Sequence, residues 1–515
     1  MHTHNERGIA LVLALFLMSA LSVLGASLMF LAQTETSASM NYRMMSQARY
    51  AAEAGISKAS NFLLDPTQYA TPTAADLLGV GCNRTVSPVT CGGQEVILSA
   101  SASKASNYPV AAVQTAFNAA GQGTLVSGTL SLTYGSYARL LALQTFPSYG
   151  GGQGVAASWE IVADGGLTGS PNATVEVLAL IETPKVPASS FGAFGTDTMC
   201  GALSFGGHVT VKSYDSSNLT GATAPSLANG LTNAGGDVGT NGNLTITGSA
   251  NVGGKLYTPR TGIGACTNGA NGAIDGLTEG GSATVTGGMV KLPAAIIYPS
   301  PQLPAPSPLA KVTGAGVTCA GLGLTALNCT VSGSTITLDG HGLTLTLPEI
   351  SLTAHTDLVL TASNPPSQYN VNSISLAGGS TIGIKATSPT EGVNLGIVGM
   401  TAAGVAIATP VDFTGGSQTA ITGCATCSNY DASMLQMIYA GTGELKVGGN
   451  NNSVMTVYAP NALFTLSGTG AVYGSILAKR MNDTGTGDIL YDRRLLHDFW
   501  VVGHPMVGTF SWQRS

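Results

Sequence analysis

The chain has 515 residues, of which only 20 are basic and 26 acidic, giving a formal net charge of −6. With no basic run and a slightly acidic balance there is no electrostatic footprint for nucleic acid. Charged side chains make up 9% of the sequence against about 25% in ordinary soluble domains, and 69 glycines supply turns without charge; that texture fits turn-rich β structure outside the cytoplasm better than a cytosolic enzyme.

In chain order the first element is the most legible. A polar stretch, 1–7, ends at Gly8, and 9–32 (IALVLALFLMSALSVLGASLMFLA) then contains no charged side chain. At about 1.5 Å per residue those 24 residues make a helix of roughly 36 Å, longer than a hydrocarbon core of about 30 Å. Helical character continues through 35–64, where Met40, Met44, Ala48, Ala51, Ala52, Gly55, Ile56, Ala59, Phe62 and Leu63 form one small and apolar stripe. Asp65-Pro66 ends it, because proline disfavours helical geometry in the preceding residue. A secretory signal peptide has a shorter apolar region, about 7–15 residues, so a plain membrane anchor is the stronger alternative.

The residues ERGIALVLALFLMSALSVLGASLMFL and NYRMMSQARYAAEAGISKA resemble the N-termini of type IV pilins, and most closely PilX-type minor pilins. The resemblance implies cleavage by a prepilin peptidase between Gly8 and Ile9, N-methylation of Ile9, and storage of the helix in the bacterial inner membrane with the bulk of the chain outside the cytoplasm. It also implies packing against other minor pilins in a filament core, through Leu11, Leu13, Leu15, Leu17, Leu21, Leu24, Leu28 and Leu31. Most pilins carry a glutamate five residues into the mature helix, where this chain has Leu13. Burying a carboxylate in lipid is costly unless it is paired, so leucine eases membrane residence and removes a partner for a neighbour's amine. In the family that loss goes with the filament tip.

Beyond the helix, 65–188 reads as a small antiparallel β head, with candidate strands at 123–134, 140–146, 157–163 and 173–181. The run 159–187 resembles the end of a PilX-like head. From 189 the texture changes to short alternating segments between glycine turns, such as FGGHVTV (205–211), LTITGSANV (244–252), GGSATV (280–285), ISLAGGSTIGI (374–384) and LSGTGAVYGSI (466–476). That pattern reads as β-solenoid, with a β-sandwich as the alternative. The fold class is therefore α+β and mostly β. Two solenoid-like regions, 189–298 and 310–496, flank a segment 299–309 with prolines at every second or third position, stiff and extended, either a linker or a strap along the solenoid. A tail, 497–515, completes the division. The stretches 209–216 and 457–495 resemble the β-rich domain found behind PilX-like N-termini, which has no assigned chemistry.

The eight cysteines fall into near neighbours: Cys82 and Cys91, Cys200 and Cys266, Cys319 and Cys329, Cys424 and Cys427. An even count on an exported chain favours disulfides, and nearest-neighbour pairing is the reading adopted. Cys424-x-x-Cys427 lacks the second pair of a zinc site and the βαβ context of a redox motif.

A search for chemistry finds no HExxH, GxSxG or Walker sequence. The densest polar cluster is Asp488, Asp492, Arg493, Arg494, His497, Asp498, Trp500 and His504. Asp488 and Asp492 would be the paired carboxylates of a polysaccharide-acting enzyme, but a charged aromatic segment here reads better as a cap on the β core. Asp237, Asn241, Asn243, Asn482, Asp483 and Asp488 lie in glycine-rich loops and would offer oxygens to calcium; no EF-hand or GGxGxD spacing is present, so turn chemistry is preferred. The sequence thus reads as a non-enzymatic pilus subunit without metal or cofactor. Its β module would be displayed for adhesion to a surface or glycan. A type II secretion pseudopilin, a static envelope anchor and a surface polysaccharide enzyme are the alternatives.

Overall fold

The structure is a computed structural model and describes residues 7–65, 69, 77, 81–127, 130–147, 153–167, 170–268, 274–415, 421–450, 452–503 and 506–513. Residues 1–6 of the expected leader and His504 lie outside them. The chain divides into two compact units: Met1–Phe146 with Val155–Lys185 and Val502–Ser515, and Pro147–Gly154 with Val186–Val501.

The first unit is built on one helix, Arg7–Leu64, which stops at the residue before Asp65-Pro66 as the proline requires. Its C-terminal part buries Ala48, Ala51, Ala52, Ile56, Ala59 and Phe62. The facing surface is an antiparallel sheet in which Leu130–Pro147, Gln153–Leu167 and Ser170–Thr183 are the long members. Small residues let helix and sheet approach closely. A Cβ built on Gly165 would lie 2.0 Å from the Ala48 carbonyl oxygen and 2.4 Å from the Ala52 nitrogen, and one on Gly55 would meet the Ala163 Cβ at 3.0 Å. Beyond the alanines an aromatic cluster fills the wider gap: Phe62 lies edge-on to Phe117 at 5.3 Å, and Tyr69 packs against Trp159 at 6.1 Å. Phe117 belongs to a short helix, Ala111–Ala120, absent from the sequence reading because ten residues with one apolar anchor carry little periodicity.

The expected strand 123–134 is two strands: Gln122–Ser127 pairs antiparallel with Leu130–Pro147. A larger correction concerns 497–515. This is no tail. Leu495–Asp498 is a short helix, and Met506–Gln513 is a strand pairing antiparallel with Ser170–Thr183, from Met506 opposite Glu182 to Gln513 opposite Glu176. The second unit is therefore inserted between two neighbouring strands of the first. A strand whose partner is over 300 residues away leaves no local pairing signal.

The second unit is a β-solenoid: among the described residues 20 strands form one sheet, its pairings all parallel, and five more form another. Parallel stacking rules out the sandwich alternative. The rungs do not follow chain order. Along the axis they run 312–338, 345–361, 367–385, 393–422, 435–449, 453–468, 472–492, and then 193–214, 238–252 and 256–285. The regions 189–298 and 310–496, expected as separate, make one stack. The chain enters in the middle at Val186, winds to one end, crosses to the other and winds back. It closes by pairing Ala193–Gly195 with 476–478 and 211–214 with 489–492.

Inward-facing Leu244, Ile246, Leu256, Leu347, Leu395, Leu445, Phe464 and Ile476 form a continuous core with almost no exposure. Glycine permits the closest approaches. Gly474, at φ 137°, lies where a Cβ would sit 2.0 Å from the Met455 oxygen. Loops are closed by disulfides Cys82–Cys91, Cys200–Cys266, Cys319–Cys329 and Cys424–Cys427; Cys329 is buried in the solenoid core beside Val317 and Leu322.

The proline-rich segment is the crossing. Ten rungs at about 4.8 Å span about 43 Å, and the twenty residues 292–311, extended at about 3.1 Å each, reach about 62 Å. Asn241 grips Ile296 from both sides, its Nδ2 donating to the carbonyl (2.7 Å) and its Oδ1 accepting from the amide (2.8 Å). Tyr298 then packs edge-on to Phe194 at 5.0 Å, the Tyr458 hydroxyl donates to the Pro299 carbonyl (2.7 Å), and Asn461 donates to Ser300 (2.8 Å). Asn372 repeats the double grip on Ser307, at 2.8 and 2.9 Å. Asn372 and Ser307 are both buried, so Asn372→Ala would strand an N–H and a carbonyl. That change is expected to cost about 2–4 kcal/mol, read as an earlier thermal or urea midpoint for the second unit, whereas alanine at half-buried Asn461 should cost less.

Candidate functional site: the exposed helix and the solenoid seam

The N-terminal half of the helix has no partner within the described chain. It is the one helix among the described residues long and apolar enough to cross a membrane, and its most apolar stretch is not buried at all. The eight leucines from Leu11 to Leu31 each expose 57–66% of their surface, and Ile9 exposes 68%. Leu11, Leu13, Leu15 and Leu17 are two residues apart, hence on different sides of a 3.6-residue helix, so the cylinder is apolar all round rather than striped. Its few hydroxyls are satisfied internally: Ser19 donates to the Phe16 carbonyl, Ser22 to Met18, Ser27 to Val23 and Thr34 to Phe30, at 2.8–2.9 Å. A helix whose backbone and side-chain polar groups are all paired within itself can leave water cheaply. Charge returns at Glu35, and Arg49 pairs with Glu53 at 2.8 Å.

The polar cluster of the C-terminal region gathers at the seam where rung 472–492 stacks on rung 193–214. Asp492 is fully buried, and its carboxylate accepts from the backbone N–H of Ser216 (3.0 Å), Arg494 (3.2 Å) and Ala432 (3.4 Å). Asp488 instead accepts from the Thr210 amide (3.2 Å) and hydroxyl (2.6 Å). The two carboxylates are thus committed to different donors and do not converge on a free space. Arg493 donates to the Ser213 hydroxyl (2.7 Å). Arg494 bridges Asp431 (2.5 Å) and Asp498 (3.2 Å). Beside it a cleft of about 250 Å³ opens between Pro366, Pro389, Gly392, Gln436 and Phe499. Burial pushes Asp492 up to about 7, against the hydrogen bonds from Ser216. Burial also lifts Asp483 to about 7; one of its oxygens accepts from Gly485 (3.1 Å) and the other has no partner.

Residues 7–57 match the PilX N-terminal family. Over that segment, about a tenth of its length, the chain is similar to PilX-type pilins. Residues 372–497, which include the seam rung and Arg494, match a family described as a domain of unknown function (DUF7305). No curated protein matches the chain. Among solved structures, the competence-associated pilin ComZ from Thermus thermophilus aligns over 91% of this chain and 97% of its own, at 13% identity and a TM-score of 0.25. A likeness that distant carries no argument about fold or activity.

Three of the loop residues considered for calcium are engaged by hydrogen bonds within the chain. Asp237 accepts from the Lys255 amide (2.7 Å), Asn241 holds the crossing segment, and Asn243 donates to the Asp275 carbonyl (2.9 Å). Sequence reasoning missed Asp431, whose Oδ1 accepts from the Ser433 amide and hydroxyl. Its signal was present: Asp215 accepts from Ser217 in the same way, and an Asp followed two residues later by Ser is an Asx turn. Asp197, buried and bridged to Arg480, had no such local cue.

Proposed function

We propose that this protein is a minor subunit of a type IV pilus, held in the inner membrane by 9–32, matured by a prepilin peptidase between Gly8 and Ile9, and assembled with other minor pilins. The observation that carries this reading is an uncharged helix, apolar on every side and unburied within its own chain, in a segment that matches the PilX N-terminal family. A surface of that size in water would be covered; lipid covers it before assembly and neighbouring subunit helices afterwards. Leu13, where most pilins hold a glutamate, favours a priming or capping place at the tip, since a tip subunit has no amine ahead of it to pair. In this reading the first unit acts as the pilin head, and the inserted solenoid is displayed at the surface for adhesion. The carboxylates of the seam act as fasteners, so no catalysis is assigned to them.

The test is the mature N-terminus by mass spectrometry, with and without a prepilin peptidase. A chain starting at N-methyl-Ile9 only when the peptidase is present supports the reading. A chain retaining 1–8 in both cases reduces 9–32 to an anchor. Gly8→Leu is expected to abolish processing, leaving the unprocessed form and none in sheared filaments; normal processing of that variant would count against the assignment. A type II secretion pseudopilin would share the processing and differ in being needed for export of a secreted enzyme rather than for pili.

A further inference from the structure

The seam differs from the other rung contacts in joining segments about 280 residues apart in sequence, and charged groups fasten it. Arg480 donates to Asp197 (2.5 Å), Thr210 to Asp488 (2.6 Å), the Ser216 amide to Asp492 (3.0 Å), and Arg493 to Ser213 (2.7 Å). In a chain with 9% charged residues, two carboxyls at the seam are sealed from water: Asp492, itself one of these acceptors, is 0% exposed, and Asp483, beside Asp488, is 1%. We propose that the seam is an acid-tightened joint between two half-solenoids, 186–291 and 312–501, which the crossing segment 292–311 keeps tethered when the joint loosens.

The groups around the two buried carboxyls set the direction. Asp492 faces Tyr214 from the adjoining rung and Asp431 from the segment before the 435–439 strand, and Tyr214 in turn packs against Tyr473, which packs against Tyr430. The backbone of Arg494 donates to it, but that residue's guanidinium is engaged by Asp431 and Asp498; His497 lies beside Asp498, and Arg493 beside Tyr491. Asp483 faces Asp488. Ionising Asp483 leaves an oxygen with no donor in a buried site; ionising Asp492 adds a second negative charge beside Asp431. Both carboxyls lie at about 7 in the folded chain against an ordinary 3.8. Because the folded value is the higher, their contribution to stability is complete below about pH 4 and is lost as pH rises through 7. Opening the seam returns both groups to water and removes the penalty.

The experiment is hydrogen exchange by mass spectrometry on the full chain in detergent, at pH 5.5 and 8.5, with rates corrected for intrinsic pH dependence. Amides of 193–195, 210–214 and 476–492 are expected to lose protection on the order of tenfold or more between the two pH values. Amides of 244–246, 345–352 and 393–397, inside each half, should change little. In Asp483→Asn with Asp492→Asn the differential should largely disappear; Asp483→Asn alone, which keeps the acceptor for Gly485, should reduce it should the double variant not fold. Equal loss of protection inside the halves and at the seam, no loss at all, or an unchanged differential in Asp483→Asn would overturn the proposal.

Discussion

Valine at position 165 is expected to prevent the first unit from packing. Gly165 lies against the backbone of the N-terminal helix, where a Cβ would sit 2.0 Å from the Ala48 carbonyl oxygen and 2.4 Å from the Ala52 nitrogen. Neither atom belongs to a side chain that can rotate away, so helix and strand must separate along a line occupied by Ala48, Ala51 and Ala52, all with no exposure. Overpacking typically costs about 1–3 kcal/mol and more where backbone must move, and here the separation also strips contacts from Trp159 and Ile161 on the same strand. Alanine should already be damaging and valine more so. The check is hydrogen exchange or limited proteolysis of the intact chain in detergent: protection of 155–167 and 174–183 should fall sharply while that of 393–397 in the second unit stays. Native-like protection in the valine variant would show that the helix does not dock as described.

The second large effect is expected from ending the chain after Val501. The strand Met506–Gln513 pairs with Ser170–Thr183 through seven residue pairs. Removing it uncovers an edge in the first unit whose partner is synthesised only after the whole solenoid. Cross-strand pairs contribute roughly 0.2–1 kcal/mol each, so the loss is about 1.5–7 kcal/mol, comparable with the stability of an ordinary domain at about 5–15 kcal/mol. An exposed edge also invites association. The shortened chain should aggregate or lose protection in 157–183 yet keep the parallel stack, whose rungs it retains. Unchanged protection at 176–182 would show that the first unit does not depend on this strand.

Legibility followed the range of the interactions. The end of the helix at Leu64 was readable because Asp65-Pro66 acts on its own neighbour. The long strands 153–167 and 170–183 were readable in part because alternation is a period of two within one strand. Short solenoid strands were recognisable as a class from their glycine turns, as in FGGHVTV and LSGTGAVYGSI. Their order was not: a segment such as Leu244–Ile246 presents the same two inward apolar residues as Leu203–Phe205 or Val411–Phe413, so nothing local tells one rung its neighbour. The same blindness hid Asn372, an ordinary asparagine until Ser307 arrives from 65 residues away.

The sequence by itself determined the N-terminal helix, its apolar all-round surface, its resemblance to PilX-type pilins and the solenoid character of the rest, because each rests on periodicity or on residues adjacent in the chain. Only the tertiary structure decided the rest. The solenoid is inserted between strands 170–183 and 506–513, its rungs run from 312 to 492 and then from 193 to 291, the proline-rich segment straps them together, and Asp483 and Asp492 are sealed at the seam. Each of those depends on contacts between distant residues, whose energy comes from burial and pairing that exist only once the chain has folded.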